Sequence, residues 1–136
     1  MGSLLLGKFS FLASLLNEPV DIAMSTTLNP EKLMAIVEGD EDFLDAMKVA
    51  QVETLEELRE QVTQHIRSEN LDGLRSANHK AKPAIELLGA EALTAAVQEG
   101  YVLLENNAPD EEKEALVQKL DKIISEVIIA TKELSL

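Results

Sequence analysis

Apolar residues recur at three- and four-residue intervals along this chain, and the breaks between runs are only a few residues long. That spacing places them on one side of an α-helix. Between Asp40 and Ser68 the stripe is Phe43, Leu44, Met47, Leu55, Leu58, Val62 and Ile66, and Asp40, Glu41 and Asp42 suit the positive end of a helix dipole. Asn70 breaks the run, and a second helix spans Leu71 to Leu88, closed by Gly89. A third runs from about Ala90 to Glu105 with Leu93, Val97, Tyr101 and Leu104 inward. Asn106 to Pro109 form the next turn, and a last helix from Asp110 to about Leu134 turns Leu116, Leu120, Ile123, Val127 and Leu134 inward. Ahead of these lies a short helix, Glu31 to Glu38, with Asn29 as cap, Pro30 at the first helical position and Gly39 as its stop. Loops this short join antiparallel neighbours. The expected fold is all-α: an antiparallel up-down-up-down four-helix bundle with short additional N-terminal helices, occupying residues 25–136. Aromatics make up only 3 % of the chain against 46 % hydrophobic residues, so the core is aliphatic, as helix-on-helix packing permits and a β-sandwich would not favour.

The formal net charge of −13 removes two classes of partner. Nucleic acid binding requires Lys and Arg to neutralise phosphates, and an anionic membrane surface requires the same. There is no cysteine, so disulfides, thiolate chemistry and cysteine-ligated metal are absent, and nothing argues for an oxidising compartment. The expected location is cytoplasmic.

Residues 1–24 form an apolar extension carrying Leu4, Leu5, Leu6, Phe9, Phe11, Leu12, Leu15 and Leu16. The run is too short to span a bilayer, and Lys8 interrupts it as a secretory core. Two expectations follow. The segment is an amphipathic helix docked on the bundle or on a second chain, giving a possible self-association, or it is an added leader ahead of a natural start at Met24.

One stretch departs from the acidic body. Residues 73–85 contain Arg75, Lys80 and Lys82 and no acid. On a helix, Arg75, His79, Lys82 and Glu86 share one side, while Leu71, Leu74, Asn78, Ala81, Ile85 and Leu88 occupy the other. The apolar side faces the core, so His79 is expected in water with cations beside it. A free imidazole titrates near about 6.5 and is mostly neutral at pH 7, which leaves a ring nitrogen able to attack phosphorus. Neighbouring cations favour that neutral form and afterwards offset the charge of a phosphoryl group.

The run Leu74-Arg75-Ser76-Ala77-Asn78-His79-Lys80-Ala81-Lys82, with Leu88-Gly89 and Leu93 beyond it, resembles the histidine-containing phosphotransfer (HPt) domain family. The family has lysine three residues after its histidine and glycine seven after that lysine, matched here by Lys82 and Gly89; Asn78 departs from the usual alanine. The segment Glu38 to Leu44 resembles the family's passage from its first short helix to its first long one, and the resemblance covers about residues 28–134. It implies a phosphorelay intermediate of two-component signalling. His79 is the phosphoacceptor and Lys82 stabilises the phosphoryl charge, with Arg75, Lys80, Pro83, Glu86 and Gln61 as binding residues. The partners it implies are response-regulator receiver domains or a hybrid sensor kinase. No metal or cofactor is expected on this chain; magnesium belongs to the receiver. The chain would act as a phosphocarrier, with no kinase or ATP site of its own.

Competing readings start from the same residues. His65 has no lysine three residues on and suits the C-terminal end of a helix, where the dipole favours it. Glu53, Glu56, Glu57 and Glu60 read as a solvated acidic face. Pro83 removes the N–H that would bond the His79 carbonyl, a change costing up to about 3 kcal/mol in a helix interior. Pro83 and Asn78 also support a second function: a degenerate bundle that binds a signalling partner without phosphotransfer. Equating the turn centres with Asn70 and Gly89 places His79 level with residue 61 of one neighbouring helix and residue 99 of the other, which makes Arg59, Gln61, Val62 and Gly100 rim candidates.

Overall fold

Short breaks between long amphipathic runs give five helices in the computed structural model, which describes residues 27–136. These are α1 Glu31–Val37, α2 Glu41–Arg67, α3 Leu71–Leu88, α4 Glu91–Glu105 and α5 Asp110–Lys132. No strand occurs among the described residues. The expectation for residues 1–24 lies outside them.

The ends of the helices are chemically marked. Asp40 caps α2, its carboxylate accepting from the Phe43 amide at 3.0 Å. Asn70 caps α3 by accepting from the Gly73 amide at 2.8 Å. Each bond satisfies a backbone donor that the first turn of a helix leaves without a partner. Gly89 ends α3 in the left-handed region at φ 64°, where its N–H reaches the Glu86 carbonyl. One expected cap is not formed. Asn29 makes no side-chain cap for α1, whose N-cap residue is Pro30; the Asn29 amide instead donates to the Leu88 carbonyl at 2.8 Å. The start of the described chain is thereby tied to the end of α3.

α2 packs on α3 and α5, α4 packs on α3 and α5, and α1 crosses the end of the α2–α3 pair. Cross-helix bonds fix the order along α2 and α5. Lys48 donates to the Leu134 carbonyl at 2.8 Å, Arg59 reaches Ser125 at 3.0 Å and Asp121 at 3.4 Å, and Arg67 grips Glu114 with two bonds of 3.0 and 2.7 Å. Residue numbers fall along α5 as they rise along α2. Lys113, nearly buried, is bonded by Glu69 and Asp110, closing the same end of the molecule.

The core is aliphatic. Leu33, Leu55, Ile66, Leu74, Leu88 and Leu120 lose all contact with solvent, and each such side chain contributes about 1.5–3 kcal/mol of burial. Gly100 lets α3 and α4 approach, since a Cβ there would lie 3.0 Å from Leu74 Cδ2. Phe43 departs from the expected stripe and is 41 % exposed. Leu44 beside it is buried at 2 %, so this turn of α2 packs inward through Leu44 and leaves Phe43 on its outer side.

Gln51 is the odd member of the core. It is 4 % exposed and its Oε1 accepts no hydrogen bond among the described residues. A buried acceptor left without a donor costs about 1–3 kcal/mol. Gln51→Met keeps the length of the side chain and removes that cost. We expect it to raise stability by about 1 kcal/mol, read as a higher urea midpoint at unchanged slope. A lower midpoint would show that the amide is satisfied.

Candidate functional site

α3 turns one flank inward through Leu74, Ala81, Ile85 and Leu88, which leaves the opposite side in water. Arg75, His79, Lys82 and Glu86 are all exposed on that side, as the spacing requires. The helix runs unbroken through Pro83, which is exposed too. Proline cannot donate to the His79 carbonyl, but the loss falls on the solvated side of the helix, where water can serve as donor. Asn78 is half-buried at the edge of the core side.

The three cations near His79 differ in their commitments. Arg75 Nη2 donates to Glu105 of α4 at 2.8 Å, and its guanidinium lies 5.8 Å from the centre of the Tyr101 ring. Lys80 Nζ donates to Glu57 of α2 at 2.7 Å. Lys82 has neither a hydrogen bond nor an ion pair from its side chain among the described residues. From the sequence, Lys82 is expected to stabilise the phosphoryl charge, with Arg75 and Lys80 as binding residues beside it. In the structure two of them also link α3 to its neighbours, and of the three only Lys82 has no partner among the described residues. Glu57, Glu105 and Tyr101 are therefore part of the electrostatic surroundings of the site. The run of residues could not reveal this, because the partners lie 23 and 30 positions away.

The register between α2 and α3 also differs from the expectation. Lys80 faces Glu57, and the Cα of Gly73 lies so close to His65 that a Cβ would overlap its Nδ1. His79 is therefore level with Leu58 rather than Gln61. The chain reverses at Ser68 and Glu69, the latter at φ 58°, one residue before Asn70, which already belongs to α3 as its cap. Gln61 is half-buried and bonds His65 at 3.0 Å. It lines a groove of about 470 Å³ between α2 and α3 together with Thr54, Glu57, His65, Ser76 and Lys80. The other rim candidates are placed elsewhere. Val62 and Gly100 are buried in the core, and Arg59 faces α5.

His65 occupies the last turn of α2, as its dipole preference suggested. Titration is perturbed at Arg67, Lys113 and Glu114. The Arg67 guanidinium holds the Glu114 carboxyl below the usual carboxylate range, chiefly through their hydrogen bonds. Among the described residues no cluster of three His, Cys, Asp or Glu side chains could hold a metal ion, and no helix is long and apolar enough to cross a membrane. No family model matches the chain, and neither a curated protein nor a solved structure matches it.

Proposed function

We propose that this chain is a phosphorelay intermediate, with His79 as its phosphoacceptor. One observation carries the reading: an exposed imidazole and, three residues on, an ammonium with no partner among the described residues, both on the solvated side of a helix whose other side is locked into a core. The four long helices are read as an up-down-up-down antiparallel bundle, supported by the opposed numbering of the α2–α5 bonds and by short turns. Such a frame holds the ring still while a partner approaches, and phosphoryl transfer depends mostly on positioning and charge.

The step is a displacement at phosphorus. A neutral ring nitrogen of His79 attacks an aspartyl phosphate of a receiver domain. The N–P bond forms as the P–O bond to the acyl oxygen breaks, and the carboxylate leaves with the electron pair. The second ring nitrogen keeps its proton, which water can remove. Passing the group to another receiver reverses these changes. The receiver supplies the magnesium and acidic cluster that the reaction requires; Lys82 supplies a point charge for the phosphoryl oxygens. Arg75, Lys80, Pro83 and Glu86 border the surface that the receiver, or the hybrid kinase carrying it, would cover. Such partners place the protein in the cytoplasm, and residues 1–24 offer a possible contact between two copies.

A second reading is favoured by the pairing of Arg75 and Lys80 with Glu105 and Glu57, which leaves less free charge at the site than a phosphate would prefer. In that reading the bundle binds a signalling partner and transfers nothing. Incubation with a phosphorylated receiver separates the two. The relay reading expects a mass gain of one phosphoryl group that survives alkali, is lost in acid and is absent in His79→Gln. Stable binding without any mass gain would favour the binding module.

A further inference from the structure

The phosphate-facing side of α3 carries two cations that could meet a phosphoryl group on His79, and the structure gives them different standing. Lys82, one turn after the ring, has no partner among the described residues. Arg75, one turn before it, is held by Glu105 and rests over Tyr101. Lys80 points to the opposite flank, about 100° around the helix from His79, where Glu57 holds it. Arg75 is thus the cation whose partner can change with the state of the site.

We infer that phosphorylation of His79 makes Arg75 exchange partners, leaving Glu105 and the Tyr101 ring for the phosphoryl oxygens, so that α4 senses the phosphorylated state. This rests on His79 being the phosphoacceptor. Residues four apart on a helix are neighbours, so an arginine at this position reaches a group on the histidine ring. A phosphoryl group offers three acceptor oxygens and up to about two negative charges, against two oxygens and one charge on Glu105. The planar guanidinium suits that geometry better than a point charge. Both partners of the existing pair are about half exposed, at 51 and 48 % of their side-chain surface. Water screens such a pair, so the bond is easily traded. Glu105 is the last residue of α4 and Tyr101 lies one turn before it. Releasing Arg75 therefore removes a tie between the site and the end of the neighbouring helix. Arg75 acts here as a positioning residue for the phosphoryl group, not as a nucleophile or an acid.

The chain provides its own probe, since Tyr101 is its one tyrosine and there is no tryptophan. The whole chain would be phosphorylated with phosphoramidate, the modification followed by mass and the Tyr101 ring by ¹H–¹³C NMR. In the unsubstituted protein the ring resonances are expected to move on phosphorylation, because a cation leaves the π face. In Arg75→Gln they should not respond to phosphorylation, and the phosphohistidine should decay about threefold faster. In Glu105→Gln, where Arg75 starts free, the phosphohistidine should outlast that of the unsubstituted protein. A mass gain with an unmoved Tyr101 would overturn the exchange and leave His79 as the phosphoacceptor. Equal decay in the unsubstituted protein and Arg75→Gln would also overturn it. Absence of any mass gain on His79 would overturn both this inference and the function on which it rests.

Discussion

Gly89→Ala is expected to cost about 3 kcal/mol, well above the same change at Gly39. Two terms combine. The residue is at φ 64°, where a side chain costs about 1–2 kcal/mol. A Cβ would also overlap the Asn29 carbonyl oxygen and lie 2.9 Å from its carbon, and these are backbone atoms that cannot swing aside. Relief requires breaking the bond from the Asn29 amide to the Leu88 carbonyl, which ties the chain to the end of α3. Gly39 is the internal control. It has φ 77° but no atom of the described residues within 4 Å of the missing Cβ, so Gly39→Ala carries only the backbone term, about 1 kcal/mol. Urea unfolding of the two variants should differ by about 2 kcal/mol. Equal losses would mean that Asn29 does not pack on Gly89.

Lys82→Glu should slow phosphoryl transfer to and from His79 about tenfold while leaving the helix content unchanged. A single exposed ion pair is worth at most about 1 kcal/mol in water. Charge reversal removes one attraction and adds one repulsion, so a loss slightly above about 1 kcal/mol in the transition state follows, close to a tenfold change in rate. Lys82→Gln removes only the attraction and should cost about threefold. The carboxylate introduced by Lys82→Glu would sit one helical turn before Glu86, a like-charge pair worth only a few tenths of a kcal/mol in helix stability. Circular dichroism should therefore be unaltered. A transfer rate unchanged by Lys82→Glu would remove the role assigned to that lysine, whatever the fate of His79. The free ammonium makes Lys82 the sensitive position. Substitution of Lys80, which Glu57 already neutralises, should matter less for transfer.

The helices were legible in the sequence because their signals are local. Asp40 and Asn70, expected at the head of α2 and at its break, are observed as N-caps. The periodicity of Leu55, Leu58, Val62 and Ile66 placed a buried stripe, and the same argument placed His79 in water. What failed was set by distant parts of the chain. The Asn29-Pro30 pair has the composition of a helix start, but packing against Leu88 and Gly89 claimed Asn29 instead. Phe43 has helical spacing, but Leu44 next to it takes the inward position and Phe43 is left outside. The register of α2 against α3 depends on which residue of the short turn takes positive φ, and that residue is Glu69, a type with no special preference for it. The carboxylates that hold Arg75 and Lys80 come from other helices, so local charge counting saw a basic patch where, among the described residues, two of the three cations are paired.

The proposed function stands on phosphorus binding this chain at His79 and not at His65, the other histidine. The ³¹P NMR spectrum of the phosphorylated protein, recorded beside those of His79→Gln and His65→Gln, reads the position of the N–P bond without any assumption about the partner. One resonance is expected in the phosphoramidate range, kept in His65→Gln and lost in His79→Gln. A resonance that survives in His79→Gln, or none in the unsubstituted protein, would refute the assignment.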